Sequence, residues 1–166
     1  LDALAAGLGL ALLIWVIERR GLGDAGLGPR GLLRDTALGF ALGGIILAGT
    51  VGAMALAGFY RAESVAGEAV WPVLAAGLWY YLWVSVFEEV ALRGVFFRLM
   101  EEWLGSWWAL AVSALLFGLL HLPNDNSSLF AALCVAVEAG ILLGAAFMLT
   151  RNLWLAIGIH WGWGVF

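Results

Sequence analysis

The adjacent carboxylates Glu88-Glu89, set in an otherwise apolar run from Trp79 to Met100, constrain this chain more than any other feature. The run reads as part of a membrane protein because 64% of the 166 residues are hydrophobic and only 12% are charged, with mean hydropathy +0.99. A soluble domain carries about 25% charged residues. One acidic residue at the centre of a bilayer costs roughly 2.5–3.5 kcal/mol, so an adjacent pair is retained where it meets a cavity or a partner. Arg93 stands four residues after Glu89, one helical turn on, and can pair with it. Glu88 is rotated about 100° from Glu89 around the helix and is left for another purpose.

The apolar runs predict an all-α, polytopic transmembrane helical bundle of about six helices, in a single integral-membrane domain over 1–166. The predicted helices are Ala3–Ile17, Ala37–Tyr60, Val70–Trp103, Trp107–His121, Leu129–Thr150 and one beginning at Leu153. Between them, Glu18–Thr36 reads as an interfacial loop and Arg61–Ala69 as a polar loop. Gly105-Ser106 reads as a turn with a serine helix cap, and Leu122–Ser128, with Pro123 and three Asn or Asp residues, as a break. Arg151-Asn152 reads as a tight turn. The chain starts without Met and stops two residues after Gly164, which points to a piece of a longer protein.

All eight basic residues are Arg. If Glu18–Thr36 is cytoplasmic, alternating spans bring Arg93, Arg98 and Arg151 towards the same side, and only Arg61 falls outside. The 23 Gly suit close helix contacts and the 10 Trp suit interfacial anchoring or packing. Cys134, the single cysteine, cannot form an internal disulfide and reads as a small buried hydrophobe. No phosphate-binding GxxxxGK[ST] occurs and no basic patch suits nucleic acid. The bilayer is the expected environment, and the all-Arg, Ala/Leu/Gly-rich chain points to a multi-pass protein of a bacterial inner membrane.

Counting from the turn at Gly105, Glu88 lies 17 residues back and His121 lies 16 residues on. Two antiparallel helices joined there bring Glu88 and His121 to nearly the same depth. The other histidine, His160, is eight residues into the last helix. One carboxylate and both histidines can therefore meet below the membrane surface. Such a set suits hydrolysis. A partly dry carboxylate is a better base than one in bulk water, and could take a proton from water as it attacks a peptide carbonyl. The imidazoles could orient that water or donate to the oxyanion. Alternatively Glu88, His121 and His160 could hold Zn2+, since two His and one carboxylate form a catalytic zinc set; no HExxH is present. No cofactor is otherwise expected. Glu89 and Arg93 have a structural or supporting role, Phe117 shapes a cavity wall, and Glu138, mid-span, is expected to face a cavity.

These residues form motifs. Glu88-Glu89-Val90-Ala91-Leu92-Arg93 reads EExxxR, Phe117-Gly118-Leu119-Leu120-His121 reads FxxxH, and His160-Trp161-Gly162-Trp163 opens a closing motif. In this order and spacing, over about Trp79–Gly164, the chain resembles the CPBP intramembrane proteases: the CAAX prenyl protease and bacteriocin-processing group, also called Abi or lysostaphin-resistance-protein-A-like. The resemblance implies an all-helical membrane endopeptidase in which Glu88 activates water and His121 and His160 stabilise the transition state or hold a metal. The expected partner is a peptide or protein substrate with a membrane-associated tail. The family's closing motif carries Asn or Asp four residues after its His; here Gly164 stands in that position. Asn124 and Glu138 are candidates to supply the missing polar group.

Two other readings compete. A catalytically inactive scaffold, or a bacteriocin immunity or resistance protein of the same fold, would explain Gly164. A small transporter would use Glu88, Glu89 and Glu138 as proton or cation sites, but no pair of broken-helix repeats is visible.

Overall fold

A computed structural model describes residues 23–61 and 70–165. The expected helix Ala3–Ile17, the start of the Glu18–Thr36 loop and most of the Arg61–Ala69 loop lie outside the described residues. The described chain is all-helical and contains no strand. Six helical segments follow one another: α1 (Gly23–Leu27, a short wide turn broken at Gly26), α2 (Leu32–Leu56), α3 (Val70–Leu104), α4 (Ser106–Leu120), α5 (Leu129–Thr150) and α6 (Trp154–Val165). Helices α2, α3 and α5 are long and apolar enough to cross a membrane, and their outer faces carry exposed apolar side chains such as Leu33, Ile45, Trp71, Phe130 and Leu149. In water that pattern would be costly; against lipid it is expected. The chain is a multi-pass membrane protein.

Two helices are not uniform. α3 is α-helical to Glu89, widens to π geometry over Val90–Phe97, and returns to α-helix at Arg98. α5 widens in the same way over Ala136–Gly140. A wide turn leaves some backbone carbonyls without their usual partner and is frequent at functional sites. Here Arg93, on the wide turn of α3, donates from Nη2 to the carbonyl of Gly140, the last residue of the wide turn of α5, at 3.0 Å.

The bundle is closed by backbone-to-backbone contacts at glycine. Gly39 and Gly43 of α2 face Gly158 and Gly162 of α6, each pair spaced four apart. A Cβ on Gly39 would lie 2.8 Å from the Ile159 nitrogen, and one on Gly158 would lie 3.0 Å from the Gly39 Cα. This is small-residue packing of the kind that joins helices in lipid, where no hydrophobic drive separates helix from helix. Gly118 of α4 meets Ala132 and Ala136 of α5 in the same manner, and Gly140 of α5 meets Ala114 of α4. The core between these contacts is formed by Phe97, Phe147, Leu153 and Ile157 on one side and Leu92, Phe117, Leu143 and Ile159 on the other.

At one end of the bundle, Arg151 in the α5–α6 turn pairs with Glu101 near the end of α3 at 2.7 Å, and Asn152 donates to Asp35 of α2 at 3.3 Å. The Glu101 hydrogen bonds raise the pKa of the Arg151 guanidinium. Arg151 itself adopts the left-handed conformation, φ 54°, that turns the chain into α6. The same end holds Arg30 and Arg34 beside Asp35, in keeping with one arginine-rich face. Arg93 is fully buried and counts as no loop charge. One local expectation is corrected. Ser106 is not a helix cap: Gly105, at φ 79°, occupies the cap position without a side-chain bond, and the Ser106 hydroxyl donates to Glu101 instead. Ser128 does cap α5, accepting from the Ala131 amide at 3.1 Å.

Candidate active site

Glu89 and Arg93 form the pair their spacing predicts. Arg93 Nη1 donates to Glu89 Oε1 at 2.9 Å, and both side chains are fully buried. The guanidinium carbon also lies 4.7 Å from the centre of the Phe117 ring. A buried charge needs partners on several sides; Arg93 has a carboxylate on its own helix, a carbonyl on α5 and an aromatic face on α4. It thereby ties three helices together beneath Glu88.

Glu89 holds a second group. His160 Nδ1 lies 3.0 Å from the same Oε1. A carboxylate accepts, so Nδ1 carries the proton and donates. In the neutral ring Nε2 is then left with its lone pair. That nitrogen lies 3.9 Å from Glu88 Oε2, which is buried and makes no hydrogen bond among the described residues. The separation is too long for a direct bond.

His121 caps the end of α4, and its Nδ1 lies 2.7 Å from the Phe117 carbonyl, so it too donates from Nδ1 and presents Nε2. Both imidazoles lean on Phe117, with ring centres 4.8 Å away for His121 and 5.8 Å for His160. Phe117 is thus the wall between the two histidines, as well as the surface under Arg93. A neutral histidine held in this tautomer accepts at Nε2. Donation from Nε2 to an oxyanion requires the second proton.

Two cavities meet at Phe117 and His121. One, of about 310 Å³, is lined by Glu88, Phe87, Ala91, Leu92, Leu120 and Asn124. The other, of about 190 Å³, is lined by His160, Glu138, Val135, Leu142 and Trp163 among others. Glu88 and His121, counted to the same depth from Gly105, line one cavity. His121 and His160 line the other. Glu138 faces that second cavity, as a mid-span carboxylate should.

The donor chemistry of Glu88, His121 and His160 suits zinc, and histidines that donate at Nδ1 while presenting Nε2 are oriented as metal ligands usually are. The spacing does not suit it. Among the described residues no three His, Cys, Asp or Glu side chains are grouped closely enough to share an ion.

Two residues at the site, Phe87 and Tyr81, have no role in the sequence reading. Trp163 enters it only within the closing motif and as an anchoring or packing tryptophan, although it lies one turn beyond His160 and lines the cavity with it. Tyr81 packs against Gly164: a Cβ there would lie 2.6 Å from Tyr81 Cδ1 and 3.0 Å from Cγ. The glycine in the closing motif is therefore filled from α3 by an aromatic ring. Trp161, the other tryptophan beside His160, is a packing residue that donates from Nε1 to the Leu78 carbonyl at 2.9 Å and packs on Phe40.

No curated protein and no solved structure gave a match to the chain. A family model described as "Type II CAAX prenyl endopeptidase Rce1-like" matches residues 69–166, the stretch from α3 to α6 that holds both cavities. The chain belongs to this Rce1-like family of CAAX-type intramembrane proteases.

Proposed function

We propose that this peptidase hydrolyses a peptide bond in a substrate with a membrane-associated tail, using a water activated by Glu88. The carrying observation is the 3.9 Å separation between Glu88 Oε2 and His160 Nε2, with both atoms free to accept. A water between them donates one hydrogen bond to each, and a lone pair on its oxygen is left to attack a carbonyl carbon. Glu88 takes a proton as the C–O bond forms. The same proton then passes to the leaving nitrogen, the C–N bond breaks, and a carboxylic acid and an amine leave. His121, across Phe117, donates from Nε2 to the oxyanion when it carries its second proton. Glu89 and Arg93 are positioning residues, because they fix the ring of His160 and touch no reacting atom. The setting is a multi-pass protein of a bacterial inner membrane.

The test is cleavage of a quenched fluorogenic peptide library by the protein in liposomes, comparing wild type with Glu88→Gln, each with and without a chelator. Cleavage by wild type alone, unaffected by chelator, is expected. Cleavage by Glu88→Gln at the wild-type rate would overturn the assignment of the base, and chelator sensitivity would overturn the metal-free step.

The Tyr81–Gly164 packing favours a second reading, a non-catalytic member of the same fold acting as scaffold or immunity factor. In that case a cellular phenotype would survive Glu88→Gln at normal expression.

A further inference from the structure

Glu138 is the acidic side chain at this site for which the hydrolytic step has no use. It stands at the middle of α5, on the wide turn Ala136–Gly140, and makes no hydrogen bond or ion pair among the described residues. A lone carboxylate at that depth is costly, and those that persist mark pathways or binding sites. Its position is built. Gly140 at the end of the turn packs on Ala114 and gives its carbonyl to Arg93, and Ala136 at the start packs on Gly118. The turn that carries Glu138 is thus anchored to α4 and to the same arginine that supports the Glu88 side.

The cavity it lines is otherwise apolar: Val135, Leu142, Leu143, Ile159 and Trp163 form the walls, with His121 and His160 where it meets Phe117. At about 190 Å³ it has the size of a long side chain rather than of a whole ligand. It adjoins the Glu88 cavity through Phe117 and His121. A peptide whose scissile carbonyl lies beside Glu88 and His121 therefore has a neighbouring side chain within reach of it.

We infer that the Glu138 cavity is a substrate subsite for a basic side chain, arginine or lysine, next to the bond that is cut. This rests on the hydrolytic reading above. The aliphatic stem of such a residue fits the apolar walls, and its cation reaches the carboxylate. The indole of Trp163 adds a surface that attracts cations. A purely aliphatic side chain would leave the exposed Glu138 carboxylate without a partner, and an acidic one would be repelled.

The experiment uses the intact protein in liposomes with a position-scanned set of fluorogenic peptides carrying arginine, lysine, norleucine or glutamate at each position in turn. At one position, wild type is expected to cleave the arginine or lysine peptide about tenfold or more faster than the norleucine peptide. Glu138→Gln should bring that ratio close to one, whatever its absolute rate, and Glu138→Lys should reverse it in favour of glutamate. A basic preference that persists in both variants, or no basic preference at any position in wild type, overturns the subsite while leaving the hydrolytic reading standing. Failure of wild type to cleave any peptide overturns the hydrolytic reading, and the subsite with it.

Discussion

Oε1 of Glu89 accepts from two helices at once, from Arg93 Nη1 at 2.9 Å within α3 and from His160 Nδ1 at 3.0 Å on α6. One oxygen thus connects the most buried cation to the side chain that faces Glu88. The two acidic residues of the EExxxR motif divide the work, the inner one holding the scaffold and the outer one facing the cavity.

The outer residue should matter to activity and little to stability. Glu88 Oε2 makes no hydrogen bond among the described residues, so Glu88→Gln removes no structural contact of that oxygen seen there. Peptide cleavage is expected to fall by about 10²–10⁴-fold, the usual contribution of a positioned base. The thermal midpoint in detergent should barely move, and a large drop in it would point to a structural role.

For the inner pair the expectation is reversed. Arg93→Met leaves the Glu89 carboxylate buried without its cation and should cost about 3–5 kcal/mol. The double variant Glu89→Met/Arg93→Met should recover much of that loss. A thermodynamic cycle measured by unfolding in mixed micelles checks this. Equal loss in the single and double variants would mean that the Gly140 and Phe117 contacts of Arg93, rather than the ion pair, dominate.

Helix contact can be probed at Gly158, where an added Cβ collides with the Thr36 carbonyl and the Gly39 backbone. Gly158→Leu should destabilise by at least about 1–3 kcal/mol, because backbone cannot yield as a side chain can. Activity should fall with it, since His160 rides on the same helix two residues later. Gly49, where an added Cβ would meet no other part of the described chain within 4 Å, is the control; Gly49→Leu should have little effect on either.

Putting the family's carboxamide back is not a simple repair. Gly164→Asn alone should destabilise by about 1–3 kcal/mol, because its Cβ meets the near end of the Tyr81 ring. Tyr81→Ala/Gly164→Asn should relieve the clash. Comparing cleavage by that double variant with cleavage by Tyr81→Ala measures what a carboxamide at 164 adds. A faster double variant would mean that this chain has traded catalytic rate for the aromatic contact.

Much of this arrangement is legible in the residues, and the illegible part has physical causes. Counting from Gly105 brings Glu88 and His121 near one depth because α3 and α4 fold back on each other at that turn, and the two residues line one cavity even though the wide turn Val90–Phe97 shortens the rise of α3 between them. The four-residue spacing of Glu89 and Arg93 is enough for their pair. Five of the expected helices appear, with boundaries within about five residues, because they follow runs of apolar residues; the short α1 falls in a stretch that reads as a loop. The wide turns at Val90–Phe97 and Ala136–Gly140 leave no periodic mark, because helices apolar on every side have no stripe to shift. The Ser106 expectation failed because α4 begins at Ser106 itself, so that Gly105, at φ 79°, takes the cap position. The tautomers of His121 and His160 depend on acceptors at Phe117 and Glu89 that only the folded chain brings within reach. Tyr81 filling the space beside Gly164 joins residues 83 positions apart, and no local pattern announces it.

The glycine seam between α2 and α6 bears on how small a working unit can be. Residues 69–166 contain both cavities and every side chain of the proposed chemistry, yet α2, at Leu32–Leu56, lies wholly before them. Cut away from α2, the last helix would turn Gly158 and Gly162 towards lipid, with a groove shaped for another backbone and no side chains to fill it. Acyl chains pack poorly into such a groove, and the helix would gain freedom to tilt and rotate. The imidazole of His160 would then wander relative to Glu88, although neither residue had been changed. The stretch that identifies the family is therefore shorter than the stretch needed to keep its histidine aimed.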